Sequence, residues 1–456
     1  MAADPTFILN GTEMPLAGAD PTESLLRMLN RMRLTGTKEG CADGDCGACT
    51  VALVAPDHDG ALRYEAVNSC LLPIGAVAGR EIVTVEALAD GDLLHPVQQA
   101  LVDCAGSQCG YCTPGFVMSL FAAYYQGSLD DGATAGNLCR CTGYRPIRDA
   151  TAKLDAMPPV SDRFRSALER TRVPPTPSAV GSFFHPATIE EALALKRARP
   201  DATWICGATD LGVELSHGHR VAPAFISLER VEALRTLAIR DESVLIGAAV
   251  PLATIETRLA GIFPPLDQML PWFAARQVRS RATLGGNLGT ASPIGDLLPI
   301  LLALDAKIEL RGDGGGRTLD AADYFVDYRK TARRDDELVV AVTLPRRAGI
   351  SAAYKVAKRQ TDDISIVAAV FALELDGERR VARARLAYGG VAATPRRALR
   401  TEAILLGNTL TPATVDAARA SLEAEFTPLD DLRASARYRR ALAASLFGKF
   451  VAEHCQ

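Results

Sequence analysis

With 456 residues, 48% of them hydrophobic and 23% charged, the chain is too long for a single compact core and has the composition of several ordinary globular domains. Its formal net charge of -4 gives no electrostatic ground for a nucleic-acid partner. No apolar run approaches the ~20 residues of a membrane span, and residues 1–10 lack the basic flank and apolar stretch of a secretory signal, so a soluble, cytoplasmic protein is expected.

Residues 6–12 read as a short strand running into an Asn10-Gly11 hairpin turn, followed by a helix carrying Leu25, Leu26 and Leu29. Residues 50–54 and 82–86 look like two further strands, which makes residues 1–88 a small α+β unit. Residues 95–101 and 115–125 read as helices within a helical unit, 89–160. Pro158-Pro159 and Pro174-Pro175-Thr176-Pro177 punctuate a stretch with little apolar periodicity, so an extended linker is expected over 161–182. Helical 188–197, strand-like 243–249 and a Gly-rich interior predict an α/β domain over 183–347. Strand-like 366–375 and 381–389, then Ala- and Leu-rich helices, predict a smaller α+β domain over 348–456. No internal repeat stands out.

Eleven cysteines would be odd in a reduced cytosolic chain unless they hold something, and nine of them precede position 142. A disulfide framework belongs to short secreted chains, which leaves metal or cluster ligation. Cys41, Cys46 and Cys49 are spaced C-x4-C-x2-C, and Cys70 supplies a fourth thiol: the plant-ferredoxin spacing for a [2Fe-2S] cluster. Gly40, Gly44 and Gly47 let the loop wrap a cluster and point backbone N–H groups at its sulfurs. A zinc site would favour paired C-x2-C knuckles instead. Cys109, Cys112, Cys139 and Cys141 form C-x2-C and C-x-C, again four thiolates able to enclose two irons, with zinc as the competing reading. Cys104, Cys206 and Cys455 fall outside these spacings and are left out of the metal ligands. Two closed clusters in consecutive small domains act as one-electron relays, because neither has an open ligand position for a substrate.

The segments that surround these thiols are Lys38-Glu39-Gly40-Cys41, Asp45-Cys46-Gly47-Ala48-Cys49, Gln108-Cys109-Gly110-Tyr111-Cys112-Thr113-Pro114-Gly115 and Gly136-Asn137-Leu138-Cys139-Arg140-Cys141-Thr142-Gly143-Tyr144. They resemble the molybdenum hydroxylase family. Within it, two cluster domains followed by a flavin domain resemble the iron–sulfur/FAD small subunits of bacterial xanthine dehydrogenases over nearly the whole chain, whereas carbon-monoxide-dehydrogenase relatives keep flavin and clusters on separate chains. The resemblance implies a multidomain α+β fold: a ferredoxin-like β-grasp [2Fe-2S] domain, a helical [2Fe-2S] domain, a non-Rossmann α/β FAD-binding domain and a small α+β C-terminal domain. It further implies that a molybdopterin-binding large subunit oxidises hypoxanthine or xanthine, and that electrons pass through the two clusters to FAD and on to NAD. The implied assembly is a dimer of heterodimers, and no residue of this chain need be a general base. A related aldehyde or N-heterocycle hydroxylase is the alternative, and a zinc-stapled binding module a remote one.

The sequence contains no G-x-G-x-x-G opening a helix after a strand, which argues against a Rossmann site. Two other Gly-rich segments qualify for the flavin. Ile205-Cys206-Gly207-Ala208-Thr209-Asp210-Leu211-Gly212 joins a strand-like stretch to a helix, where small residues let backbone N–H groups approach a pyrophosphate; an ordinary strand-to-helix turn is the plainer reading. Residues 283–296 look like the family's second FAD loop: Gly286 permits close approach, Thr283 and Asn287 reach phosphate or ribitol oxygens, and Asp296 accepts from a cofactor hydroxyl. By the same resemblance Phe273 borders the flavin and Lys355 contacts FAD, against readings as core aromatic and solvated strand lysine. Asp362 and Asp363 lie where the family has a loop gating NAD, or else form a turn with two solvated carboxylates.

Overall fold

The computed structural model describes residues 4–157, 161–170, 179–220, 222–359 and 362–455. The chain divides into two compact units: Met1–Val231 with Ala274–Ala282, and Glu232–Phe273 with Thr283–Gln456.

In the first unit, Thr6–Leu9 (β1) and Thr12–Pro15 (β2) form the expected hairpin; Asn10 and Gly11 take positive φ, 53° and 82°, the left-handed pair that a two-residue turn between twisted strands requires. Thr50–Pro56 (β3), Leu62–Asn68 (β4) and Glu81–Val83 (β5) complete a sheet in the order β2-β1-β5-β3-β4, with only β1 and β5 parallel. The strand expected over 82–86 stops at Val83, because the Asn10 side chain takes the Thr84 N–H at 2.8 Å and Val85–Ala87 becomes a 3-10 turn. Both faces of the sheet are covered. Ala52, Val54, Tyr64 and Ala66 pack with Phe116 and Phe121 of the helix Thr113–Gln126. Val51, Leu53 and Val67 pack with Leu25 and Leu29 of the helix Leu25–Arg31 and with Phe183 and Phe225. A sheet buried on both sides loses its polar/apolar alternation.

The helices Pro96–Asp103, Thr113–Gln126 and Arg145–Asp155 each carry proline in the first two positions, where its missing N–H is not needed. The stretch read as extended linker opens instead with a helix, Arg163–Leu168: Asp162 caps the N–H groups of Phe164 and Arg165, and the Phe164 ring lies 5.0 Å from that of Phe121. A single buried aromatic anchors a segment with too few apolar residues to show a period. Pro158, Pro159, Pro174, Pro175 and Pro177 lie outside the described residues. Phe183–Phe184 (β6), Thr203–Ile205 (β7) and Phe225–Ser227 (β8) then form a parallel sheet in the order β6-β8-β7, with helices Ile189–Ala198 and Leu211–Ser216 as crossovers.

Among the described residues the second unit holds two larger antiparallel sheets and a two-stranded ribbon. Leu237–Ile239 (β9), Ser243–Gly247 (β10), Lys307–Gly312 (β11), Gly315–Asp320 (β12) and Leu338–Pro345 (β15) run in the order β12-β11-β15-β10-β9, with the ribbon Phe325–Asp327 (β13) and Lys330–Thr331 (β14) beside them in sequence. The α/β region expected over 183–347 is therefore parallel in one unit and antiparallel in the other. Ile350–Val356 (β16), Val367–Leu375 (β17), Val381–Gly389 (β18) and Arg396–Arg397 (β19) form a meander. Helices Pro412–Glu425 and Ala436–His454 cover it, with Phe371, Tyr388, Phe447 and Phe450 at the core. Among the described residues no helix is long and apolar enough to cross a membrane.

Candidate functional site

The first cysteine loop leads into β3. Cys49 stands just before that strand and Cys70 just after β4, and both are buried, with their sulfurs 3.3 Å apart. Cys41 and Cys46 are half-buried and hydrogen-bond each other. Backbone N–H groups of Cys46 and Asp43 reach the Cys41 sulfur at 3.3 and 3.4 Å. The hydrogen bond from Cys46, helped by these N–H groups, pulls the Cys41 thiol down to about 5, and Cys70 likewise pulls Cys49 down; Cys46 and Cys70 are pushed up as the donors. A Cβ on Gly40 would sit 2.6 Å from the Cys46 sulfur, so only glycine leaves that thiol its place.

The second set sits at helix ends. Cys112 is the N-cap of Thr113–Gln126, and Cys109 and Cys141 are exposed. Cys109 pairs with Cys141 and Cys112 with Cys139. Cys139 is buried, which opposes ionisation, yet the Thr142 hydroxyl at 3.1 Å and the N–H groups of Thr142 and Cys141 at 3.4 and 3.5 Å bring its thiol down. Burial, then Cys139, pushes Cys112 up to about 12. Among the described residues no three His, Cys, Asp or Glu come together as a single-ion site. The thiols stand two by two within each set, and four cysteines, once all are deprotonated, are the number that a [2Fe-2S] cluster takes as ligands. Cys104 ends the helix Pro96–Asp103 and packs on apolar side chains.

The two loops touch through backbone. Leu138 N–H donates to the Cys46 carbonyl at 3.0 Å, and Asn137 Nδ2 to the Gly47 carbonyl at 3.0 Å. A Cβ on Gly47 would meet the Gly136 carbonyl at 2.2 Å, and one on Gly115 would meet the Gly47 carbonyl at 2.2 Å. The glycine at 47, read as freedom to wrap a cluster, thus also serves direct contact between the two cysteine loops. The Tyr111 hydroxyl adds a bond to the Glu39 carbonyl.

The first Gly-rich segment lies in the same unit. Ile205 ends β7, Cys206 is half-buried, and Gly207 and Ala208 both have positive φ, 69° and 62°. A Cβ on Gly207 would fall 2.1 Å from the Arg281 carbonyl, and one on Gly212 2.3 Å from the Leu71 carbonyl. Both glycines are therefore demanded by packing, and Gly212 sets the helix begun by Leu211 on the residue after Cys70. Gly207 N–H donates to Glu229 at 3.0 Å, and Arg281 and Arg80 pair with the same carboxylate. Burial alone would raise Glu229; the two guanidiniums hold it at about 2, while burial lowers Arg80 to about 10. Thr209 lines a cleft with Asn68, Leu71, Gln277 and Arg281, and Asp210 is exposed.

The second segment lies in the other unit. Thr283 caps the helix Leu284–Thr290 by accepting from Gly286 N–H at 3.0 Å, so its hydroxyl already has a task. Asn287 Oδ1 is buried with no hydrogen-bond partner among the described residues, and the space beside Gly289 is open to 4 Å. A buried acceptor left without a donor fits a cofactor that supplies one. Asp296 is buried and raised by burial; Lys355 Nζ pairs with it at 2.8 Å and also donates to the Trp272 carbonyl at 2.8 Å, and Ser365 donates to its other oxygen. Lys355 is thus no solvated strand lysine. Phe273, next to Trp272, is half-buried. Nor are the two loop aspartates solvated: Asp362 is buried with φ 50°, and Asp363 accepts from the N–H groups of Lys358, Arg359 and Ile364 at 2.9 Å each. Sequence reasoning missed Glu229 and Gln277, which carry no motif and act through partners remote in the chain, and it placed Ser365 on the gating loop without its bond to Asp296.

Four family models match in order: a 2Fe-2S iron-sulfur cluster binding domain over residues 7–74, a [2Fe-2S] binding domain over 84–152, an FAD binding domain in molybdopterin dehydrogenase over 178–347, and a CO dehydrogenase flavoprotein C-terminal domain over 352–454. The xanthine dehydrogenase of Emericella nidulans is 32% identical over 97% of this chain and 38% of its own length. The xanthine dehydrogenase/oxidase of Mus musculus is 32% identical over 97% and 38%. The chain thus spans well under half the length of these relatives. Among solved structures, a chain of Cu,Mo-CO dehydrogenase has a TM-score of 0.56 at 27% identity, covering 59% of this chain and 96% of that one. One of quinoline 2-oxidoreductase from Pseudomonas putida 86 has a TM-score of 0.56 at 25% identity, covering 61% and 97%. Two iron–sulfur domains, an FAD-binding domain and its C-terminal companion in one chain make this oxidoreductase a member of the molybdenum hydroxylase family, as its iron–sulfur/FAD electron-transfer component.

Proposed function

We propose that this chain is the electron-transfer subunit of a cytoplasmic xanthine dehydrogenase, with hypoxanthine and xanthine oxidised on a molybdopterin-binding partner and NAD as the final acceptor. When bound, the clusters relay single electrons and the flavin collects them in pairs. Cys41, Cys46, Cys49 and Cys70 hold one [2Fe-2S] cluster within residues 1–88, and Cys109, Cys112, Cys139 and Cys141 the other within 89–160. Residues 205–212, Phe273, Thr283, Gly286, Asn287, Asp296 and Lys355 bind FAD across 183–347 and the start of 348–456.

The observation that carries the reading is the gradient of exposure in the first unit. Cys109 and Cys141 are exposed, and Tyr111, Leu138 and Tyr144 are exposed beside them in sequence, an apolar fringe suited to a partner surface. Cys49 and Cys70 are buried, and the first flavin segment rests on Leu71. Electrons would then arrive at the outer thiols and leave inward. Identity of 31–33% to xanthine dehydrogenases over nearly the whole chain supports the purine substrate. Expressed with its molybdenum partner, the complex should reduce NAD when given xanthine and bleach both cluster and flavin absorbance. Turnover of quinoline or an aldehyde, with none of xanthine, would move the chain to an N-heterocycle or aldehyde hydroxylase. Co-purification in a two-to-two ratio would support a dimer of heterodimers.

A further inference from the structure

The bridge between the two cysteine loops includes a side chain from neither. The segment Ala274–Ala282 belongs to the first unit although its neighbours in sequence on both sides belong to the second. It carries Gln277, 1% exposed, into the seam between the loops. Gln277 Nε2 faces Ser119 Oγ at 3.0 Å, Asn137 Oδ1 at 3.1 Å and Thr50 Oγ1 at 3.4 Å. Ser119 donates to the same Asn137 oxygen at 2.7 Å, which turns the Asn137 amide so that Nδ2 meets the Gly47 carbonyl at 3.0 Å; the Thr50 hydroxyl donates to that carbonyl at 2.6 Å. Arg276 fastens the segment from outside, bonding Asp130 at 3.0 Å and the Ser128 carbonyl at 3.3 Å.

Packing alone does not account for this choice of residue. Gln277 Oε1 is buried with no hydrogen-bond partner among the described residues, pressed against Gly136, where a Cβ would come within 2.2 Å of it. A buried amide that leaves its acceptor unmet is a poor adhesive compared with an aliphatic side chain of the same size. What the amide does achieve is a fixed polarity: donors toward Asn137 and the two hydroxyls, and through Asn137 a donor toward Gly47. The carbonyl it steadies lies in the peptide from Gly47 to Ala48, which leads to Cys49; the adjoining peptides Cys46–Gly47 and Asn137–Leu138, the latter one residue from Cys139, are joined by the Leu138 to Cys46 bond.

We propose that Gln277 is a positioning residue for electron transfer between the two clusters: contributed by the flavin-domain segment, it locks the Asn137 amide and so fixes the spacing and hydrogen bonding of the Cys46 and Cys139 loops. The inference rests on the reading that the eight thiols hold two [2Fe-2S] clusters. Its test uses the full chain loaded with iron and flavin, as wild type, Gln277→Leu, Gln277→Glu and Ser119→Ala. Gln277→Leu keeps the volume and removes the donors; Gln277→Glu keeps the shape and sets an acceptor against Asn137 Oδ1.

Both Gln277 variants should retain full iron and flavin. The magnetic interaction between the two reduced clusters, read by electron paramagnetic resonance, should change, and electron equilibration between them after a reducing pulse should slow about tenfold or more, as expected when a geometry-held reaction is misplaced. Ser119→Ala should shift the same readouts in the same direction by less, and it carries the test if Gln277→Leu fails to load. Wild-type coupling and rate in a fully loaded Gln277→Leu protein, whatever its melting temperature, would overturn the role. Zinc in place of iron in the wild type would instead overturn the underlying assignment of the thiols.

Discussion

The helix Leu284–Thr290 contains glycines in two different situations, and alanine separates them. At Gly285 an added Cβ would lie 2.6 Å from both the Cβ and the carbonyl oxygen of Ala248, backbone that cannot swing aside. Overpacking of this kind costs about 1–3 kcal/mol, against a gain of about 0.5–1 kcal/mol from replacing glycine by alanine in a helix. The net is a loss of about 1–2 kcal/mol, or a fall in Tm of roughly 4 °C for a unit of this size. At Gly289 nothing lies within 4 Å of the new Cβ, so the flavin-free protein should be stabilised by about 0.5–1 kcal/mol. If that open space is where the flavin approaches, the same methyl group weakens FAD by about tenfold, or about 1.4 kcal/mol. Thermal scans of flavin-free protein and fluorescence titration with FAD measure the two effects independently. Gly285→Ala should melt lower yet bind FAD normally per folded molecule, and Gly289→Ala should melt higher yet bind FAD poorly. Wild-type FAD affinity in Gly289→Ala would show that residues 283–296 do not cradle the flavin.

Glu229→Gln leaves Arg80 and Arg281 buried against a neutral amide, which should cost about 3–5 kcal/mol and lower flavin content by releasing the Gly207 turn; unchanged denaturant midpoints would refute it. Cys70→Ser should remove the signal of one cluster and leave that of the Cys109 set, seen as half the iron and one resonance species instead of two. His95 and His185 are buried and pushed down to about 4 by desolvation, below the ~6.5 of an unfolded histidine. The unfolded chain therefore binds more protons between those values, and stability should fall as pH drops from about 6.5 to about 4, by up to about 3 kcal/mol for each. Urea midpoints across that range check it, and His185→Gln should flatten the slope; an unchanged slope would mean that His185 is not the group titrating.

What could be read from the sequence was whatever is encoded locally. Asn10-Gly11 specifies its own turn, the prolines mark helix starts, and the cysteine spacings follow from loops that close on themselves. What escaped depends on partners far along the chain. The sequence pattern does not show β4 as a strand at all: it carries Arg63 and Glu65, whose charges break an apolar run and which pair at 2.7 Å on a sheet covered on both sides. Gly207 and Gly212 are singled out in the sequence as small, but the Arg281 and Leu71 carbonyls, 2.1 and 2.3 Å from where a Cβ would stand, are partners that no local pattern reveals. Asp362 and Asp363, read as solvated, are enclosed by a turn whose hydrogen bonds no spacing rule reports.

The different exposure of the two thiol sets follows from the elements that carry them. Thr50 pairs with Asn68 at the end of an antiparallel ladder, which sets Cys49 beside Ser69, and the turn that follows brings the Cys70 sulfur to within 3.3 Å of that of Cys49. A sheet covered on both faces buries whatever its ladder ends carry. The second set has no ladder: Cys112 caps a helix, and Cys139 and Cys141 precede another, Arg145–Asp155, and helix ends emerge at the surface of a helical layer. The ladder ends therefore enclose Cys49 and Cys70 while Cys41 and Cys46 on the loop before them are half-buried, and the helix ends present Cys109 and Cys141 while Cys139 stays buried. The depth of Cys49 and Cys70 and the openness of Cys109 and Cys141 are set by the choice of strand ends for one pair and helix ends for the other, before any residue tunes a potential.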